Sequence, residues 1–364
     1  MITRPDVSIL IPTHGRTRKL CACLRALAHQ SVNPAQMQIL IGFDGPDATG
    51  ARAARDAWAS AGAGPGLELI QCPRAGYNAA RNHLLERAAG HICLSLNDDV
   101  LPAPGFVDAH IQAQRQAADR LGLPGAVIVG RSRWVIPHDD TLFDRLVRST
   151  PMIFFYDVMD AAAHDPDACW RNWGFRHAWG LNMSAPLELV RQAGGFTDFP
   201  MAYGHDDIEL AWRLGRNFDL PVLYRPEAEA AHDHRYSAVD VLDRERKLGE
   251  SAWLFAGRNP HFGRDVFGRD ITSDAEIAYA HAFVQREAKD AERLRTRFLS
   301  LEEIPADAIG AEYAPALLDA LYQQHILLKR YEWRTGLLRA ATDASDRAGG
   351  TGVSPVRREA HAAG

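Results

Sequence analysis

The sequence predicts an α/β fold: a mostly parallel sheet flanked by helices and followed by a C-terminal helical extension. Three observations predict it. Between Val7 and Leu96, short apolar runs alternate with segments of helical period. Polar residues able to bind a nucleotide gather just after each apolar run, where α/β sheets place their ligands. From about Ser273 to Thr342 the composition turns to Ala, Leu, Glu, Arg and Gln, the vocabulary of long helices.

In chain order, "VSILIP" reads as a buried strand, "RTRKLCACLRALAHQS" as a helix and "MQILIGF" as a second strand. "GARAARDAWASAG" is then a helix, "LELIQC" a third strand, "NAARNHLLERAAG" a helix and "HICLSL" a fourth strand. "GAVIVGRSRWVI" reads as another strand, and "TLFDRLVRSTPMIFFYDVM" as a mixed or helical segment. "LELVRQAGGF" is a helix closed by Gly194 and Gly195. "YGHDDIELAWRLGR" is a helix with acids in its first turn, and "LPVLYRPEAEAAHDHRYS" is a strand leading to a loop with His232 and His234. The last helices are expected to be interrupted at Pro305 and Pro315. These segments divide the chain into a domain over residues 1–255, a helical extension over 256–345 and a tail over 346–364 with the composition of disorder.

At 364 residues, 46% hydrophobic and 24% charged, the chain can bury a sizeable core. A net charge of −5 provides no electrostatic footprint for nonspecific nucleic-acid binding, so no nucleic-acid partner is expected. The five cysteines have no metal-ligand spacing and suit a reducing compartment, and no window is apolar enough for a signal or spanning segment. The expectation is a cytoplasmic protein, with peripheral attachment at the inner membrane surface left open.

The four ends carry "PTHGR", "FDGPD", "CPRAGYN" and "NDDV", and so offer turn amides, Thr13, Arg16, Asp44, Arg74 and the Asp98/Asp99 pair. In "HICLSLNDDVLPAPGF", Ile92, Leu94 and Leu96 point inward, and Pro102 and Pro104 prevent a regular ladder from continuing. Asn and Asp there could simply cap a turn, but paired carboxylates also supply hard oxygen ligands for Mg²⁺ or Mn²⁺. Neither a dinucleotide fingerprint nor a P-loop follows the first strand, so a phosphate would be held largely by metal. The acids at 206, 207 and 209 could likewise be no more than helix-capping charges. The tryptophan-rich "WRNWGFRHAWGLN" is either core or an acceptor wall.

Taken in order, "VSILIPTHGR", "ILIGFDGPD", "AGYNAARN", "LSLNDDVLPAPGF", "GLNMSAP", "GGFTDF", "YGHDDIELAWRL" and "AAHDHRYS" resemble the family-2 glycosyltransferases of GT-A fold, over about residues 6–255. The resemblance implies an inverting, metal-dependent transfer of a sugar from a nucleotide-sugar donor, typically a UDP-sugar, to an acceptor hydroxyl. It puts Pro12, Thr13, Arg16, Asp44, Arg74, Asn78, Arg81, Asn97 and Asp98 in nucleotide-sugar binding. Asp99 and His232 would be ligands to Mn²⁺ or Mg²⁺, with His234 the alternative to His232. Asp207 would be the catalytic base with Asp206 beside it, and Trp173, Trp179 and Asn182 would bind the acceptor. The sequence departs from the family pattern at Asn97, where Asp is frequent, and at Asp206, where Glu is usual.

The acceptor is expected to be a carbohydrate, lipid, protein or small molecule, and the C-terminal helices could pair two subunits. Two other readings are weighed beside this one. A sugar nucleotidyltransferase would want a Gly-rich basic loop where "PTHGRTRK" has only Gly15. A noncatalytic carbohydrate-binding or scaffolding protein would keep the fold and use the C-terminal helices as its surface.

Overall fold

The computed structural model describes residues 4–349 except 65, 163–164, 166 and 200–202, and for 345–349 the backbone alone. The expected tail from residue 350 onward lies outside the described residues.

The first half follows the alternating pattern. Strand β1 (Val7–Thr13) leads to helix α1 (Thr17–Ala28), β2 (Met37–Asp44) to α2 (Ala48–Ser60), and β3 (Leu67–Cys72) to α3 (Tyr77–Arg87). β4 (Ile92–Leu96) and β5 (Val100–Pro102) precede α4 (Phe106–Leu121) and β6 (Val127–Trp134). α5 (Leu142–Ser149), α6 (Tyr156–Ala162), β7 (Asn182–Pro186), α7 (Leu187–Gln192), α8 (Asp206–Phe218) and β8 (Val222–His232) complete the sheet layer. Four more helices follow: α9 (Ala238–Arg258), α10 (Pro260–Phe267), α11 (Asp274–Leu299) and α12 (Ala314–Gly349).

Among the described residues the sheet runs β3-β2-β1-β4-β7-β6-β8-β5. β1 to β4 are parallel, with Val7 beside both Met37 and Ile92, so their carboxyl ends share one edge. β7 is antiparallel to both β4 and β6, pairing Leu96 with Asn182. The start of β7 therefore meets the carboxyl end of β4. Ile9, Leu10, Ile11, Ile41, Leu94 and Leu96 are buried, as expected of parallel strands covered on both faces.

The chain after Leu96 departs from the expected stop. Asn97–Asp99 form a turn, and Val100–Pro102 then cross to the opposite edge as a short antiparallel strand against β8. Pro102 is tolerated because it closes an edge strand. The pairing sets Val100 opposite His232, and the Asp233 N–H donates to the Asp99 carbonyl at 2.8 Å. Two segments far apart in sequence are thereby locked side by side.

The C-terminal helices also differ in part from expectation. Pro315 does not interrupt a helix; it sits in the first turn of α12, where its missing N–H costs nothing. α10, absent from the sequence reading, begins at Pro260 with the Asn259 side chain accepting from the Phe262 N–H. The boundary expected at residue 255 falls inside α9, which packs along α12. At the crossing a Cβ on Gly249 would lie 1.8 Å from the Trp333 carbonyl oxygen, and one on Gly336 1.9 Å from that of Arg246. Only glycine permits that approach. Beside it, fully buried Glu245 pairs with Arg244 at 3.0 Å and Lys329 at 3.5 Å, and buried Glu332 joins Arg246 to Arg295. No helix among the described residues is long and apolar enough to cross a membrane.

Candidate active site

The carboxyl edge of β1, β2 and β4 carries an open cleft of about 520 Å³, lined by Thr13, His14, Gly15, Thr17, Phe43, Asp44, Asp47 and Arg74 among others. Asp44 anchors its floor: one carboxylate oxygen accepts from the Ala75 and Gly76 N–H groups at 2.9 and 3.0 Å. The other oxygen stands 3.8 Å from the Arg74 guanidinium, which also reaches His14 Nε2 at 2.7 Å. Pro12 is buried within β1 and shapes the cleft through its backbone.

At one end of the cleft lies the β4–β5 turn. The Thr13 hydroxyl donates to Asp98 at 2.6 Å, and Arg16 spans both carboxylates, 2.6 Å from Asp98 and 2.7 Å from Asp99. Burial pushes the Asp98 carboxyl up to about 6, against the opposing pull of Arg16 and Thr13. Burial acts the same way on Asp99, but the close approach of His232, the hydrogen bond with His234 and the Arg16 charge outweigh it and hold the group well below the usual range. His234 Nδ1 lies 3.0 Å from Asp99 Oδ2 and His232 Nε2 3.6 Å from Asp99 Oδ1.

Asp99, His232 and His234 each offer a ligand atom, all within 4.8 Å of one another. Asp99 Oδ1 and His232 Nδ1 are buried without a hydrogen-bond partner. A carboxylate and two imidazoles with unmet bonding capacity fit a divalent cation. Both histidines between which the sequence left a choice flank the same carboxylate, one at the strand end and the other two residues beyond it. Trp134, which the sequence reading did not single out, stacks on His232 with centroids 4.7 Å apart.

A second carboxylate pair stands at the start of α8. His205, in the left-handed region at φ 68°, turns the chain into the helix. Asp207 accepts from the Gly180 N–H and the Ile208 N–H, both at 2.8 Å. Burial and the charge of Asp206 push Asp207 up to about 6, opposed by those N–H groups and by Arg81. Asp206 instead pairs with Arg81 at 3.1 Å. Arg81 is only 2% exposed, so it is walled off from the cleft where nucleotide binding was expected of it. Asn78 is also buried, donating to the Thr197 carbonyl at 3.3 Å, and Asn97 accepts from the Tyr77 hydroxyl.

The acceptor wall needs correction. Asn182 is fully buried, with its amide bonded to His110 at 2.8 Å and the Ala228 carbonyl at 3.0 Å, so it fastens strands and cannot touch an acceptor. Trp179 is a core residue, its ring 4.7 Å from Tyr156 and 5.4 Å from Phe154. Trp173 is half-buried against His177. Tyr77, Gly180 and His205 were not singled out; the one sequence signal for them was adjacency to motif residues.

Residues 8–179 match the family model described as Glycosyl transferase family 2. That matched region, just under half of the chain, is of the family-2 glycosyltransferase type. The chain is 25% identical over 247 residues to validoxylamine A glucosyltransferase of Streptomyces hygroscopicus subsp. limoneus, covering 64% of the chain and 53% of the relative. The counterpart from subsp. jinggangensis (strain 5008) is likewise 25% identical over 247 residues, 64% and 57% of the two chains. The chain spans about half the length of these curated relatives. In fold it is similar to mannosyltransferase PcManGT from Pyrobaculum calidifontis, solved with GDP-Man and Mn²⁺, at a TM-score of 0.53, 18% identity and coverage of 96% and 88%. The sheet and its helices are of the GT-A kind.

Proposed function

We propose that the protein is an inverting, metal-dependent glycosyltransferase that moves a sugar from a nucleoside-diphosphate donor to an acceptor hydroxyl. The observation that carries this reading is the pairing of β5 with β8, which puts Asp99, His232 and His234 within one ion's reach beside the cleft. The GDP-Man and Mn²⁺ of the solved mannosyltransferase agree with it. Two imidazoles among the ligands favour Mn²⁺ over the oxygen-seeking Mg²⁺. When bound, the cation would neutralise charge on the diphosphate leaving group.

The chain's own residues have separate tasks in this reading. Asp44, pinned by two backbone N–H groups, keeps one carboxylate oxygen for the base in the cleft, typically uracil, while Phe43 and His14 border it. Arg16 and Arg74 face the ribose and diphosphate, with Thr13 orienting Asp98. Asp207, held by the Gly180 N–H, accepts the proton of the acceptor hydroxyl as it attacks, and displacement from that side inverts the anomeric centre. The acceptor is a hydroxyl on a carbohydrate or small polyol, as the validoxylamine A of the curated relatives suggests. Residues through the end of β8 form the transferase unit, and α9 joins it to the later helices. The later helices buttress it, since the Ser251 hydroxyl donates to the Gly204 carbonyl at 2.9 Å and His205 packs on Phe255 and Phe267.

Thermal unfolding with UDP and GDP, each in Mn²⁺ and in EDTA, tests the reading. One nucleotide at a hundred times its Kd should stabilise by about 2.7 kcal/mol, and only with metal. Stabilisation that is indifferent to EDTA overturns the metal assignment; none with either nucleotide overturns the donor class.

A further inference from the structure

We propose that Arg81 is a positioning residue that sets the two acids of the α8 turn apart, locking Asp206 in a buried ion pair and leaving Asp207 as the carboxylate that takes up the proton. The inference rests on the reading of Asp207 as base and adds the group that distinguishes it from its neighbour.

The guanidinium is enclosed on every side. One nitrogen faces Asp206 Oδ2 at 3.1 Å; the other donates to the Tyr77 hydroxyl and, at 3.4 Å, to the Gly180 carbonyl. Its faces are covered by the Tyr77 ring at 4.1 Å and the Phe196 ring at 4.6 Å. A cation boxed in this way cannot swing toward a ligand, and its charge acts through fixed geometry. The Tyr77 hydroxyl passes the connection on to Asn97, in the turn that carries Asp98 and Asp99. Gly180 joins the two acids' environments: its carbonyl faces Arg81 and its N–H faces Asp207. A Cβ there would lie 2.9 Å from Arg81 Nη2 and 3.2 Å from Asp207 Cβ, so the spacing of these groups tolerates no side chain.

The asymmetry follows from what each acid touches. Asp206 forms an ion pair with a permanent cation, whereas Asp207 accepts from two neutral N–H dipoles and feels the Arg81 charge without an ion pair to it. The other ionisable groups nearby leave that balance alone. Glu209 is tied to Arg213 at 2.8 Å, Tyr77 is held neutral chiefly by burial, and burial, then Arg244, pushes His205 down to about 4 and leaves it uncharged near pH 7. Without Arg81, Asp207 would face the bare charge of Asp206 in a buried site, and its protonated form would persist to higher pH.

The test is a carboxyl titration by ¹³C NMR on the full chain with Asp labelled at Cγ, the two resonances assigned through D206N and D207N. R81Q should move the Asp207 midpoint up by about one pH unit or more. R81K, which keeps the charge, should hold it near the wild-type value, and R81Q/D206N, which removes both charges, should bring it back down. Should R81Q fail to fold, D206N decides, because Asp207 then sees Arg81 alone and its midpoint should fall. An unchanged midpoint in folded R81Q, or in D206N, overturns the proposal. Turnover of UDP-glucose or GDP-mannose is read separately: full activity in D207N would remove the base reading while leaving the titration result intact.

Discussion

Two adjacent aspartate pairs face the same end of the sheet, and each is compensated by one arginine, but the arginines differ in access. Arg16, over Asp98 and Asp99, keeps 38% of its side chain exposed. Arg81, against Asp206, keeps 2%. An exposed guanidinium on a flexible stem can give way to a metal ion and a diphosphate; a boxed one cannot. The first pair can exchange its counter-charge; the second holds it in a buried ion pair.

The widest expected effect breaks the second pair. D207N should lower turnover by about 10²–10⁴-fold while leaving metal-dependent stabilisation by nucleotide as it was, read by steady-state kinetics beside thermal unfolding. Loss of both together would mean the two pairs are one site. Next, D99A should abolish the metal-dependent stabilisation by nucleotide, worth about 2.7 kcal/mol at a hundred times Kd. Its persistence would show that the histidines or Asp98 hold the ion without it.

A smaller effect sharpens the comparison through pH. Asp207 lies at about 6 in the folded protein, above its unfolded value, so turnover should fall roughly tenfold per unit below pH 6 as the base is protonated. The same shift fixes the sign for stability. Ionising Asp207 in its buried site costs stability as pH rises from the unfolded value through the folded one, so D207N should melt above wild type at pH 8 and level with it at pH 4. Finally, R16Q should lower the melting temperature of the free protein, because it leaves two buried carboxylates without their shared cation. It should raise the stabilisation given by Mn²⁺ alone, because the carboxylates lose their resident cation. A decrease would make Arg16 a support of the metal site and erase the contrast with Arg81.

How much of this was legible depended on how local each interaction is. Thr13, Asp44, Asp98 and Asp99 stood out because polar side chains end apolar runs there, and the parallel register puts those strand ends at one edge; Asp207 stood out as an acid opening a helix. The short strand β5 was hidden: three residues ending in Pro102 carry no periodicity, and only their pairing with β8 explains why Asp99 meets His232. The role of Arg81 was misjudged because its partner Asp206 lies on another helix. Trp179 and Asn182 look alike in a sequence whether they face a groove or a core, and packing decided against the groove.

The glycine-to-backbone crossing of α9 and α12 sets an order of events during synthesis. Glu245 is buried against α12, a helix made well after α9 and carrying Lys329 and Gly336 in its middle turns. Until then α9 presents an unshielded acid and a bare backbone groove, and the loop that leans on Ser251 and Phe255 to aim Asp206 and Asp207 lacks a firm backing. The acids at the start of α8 would thus gain their backing later than the strand ends beside them are made.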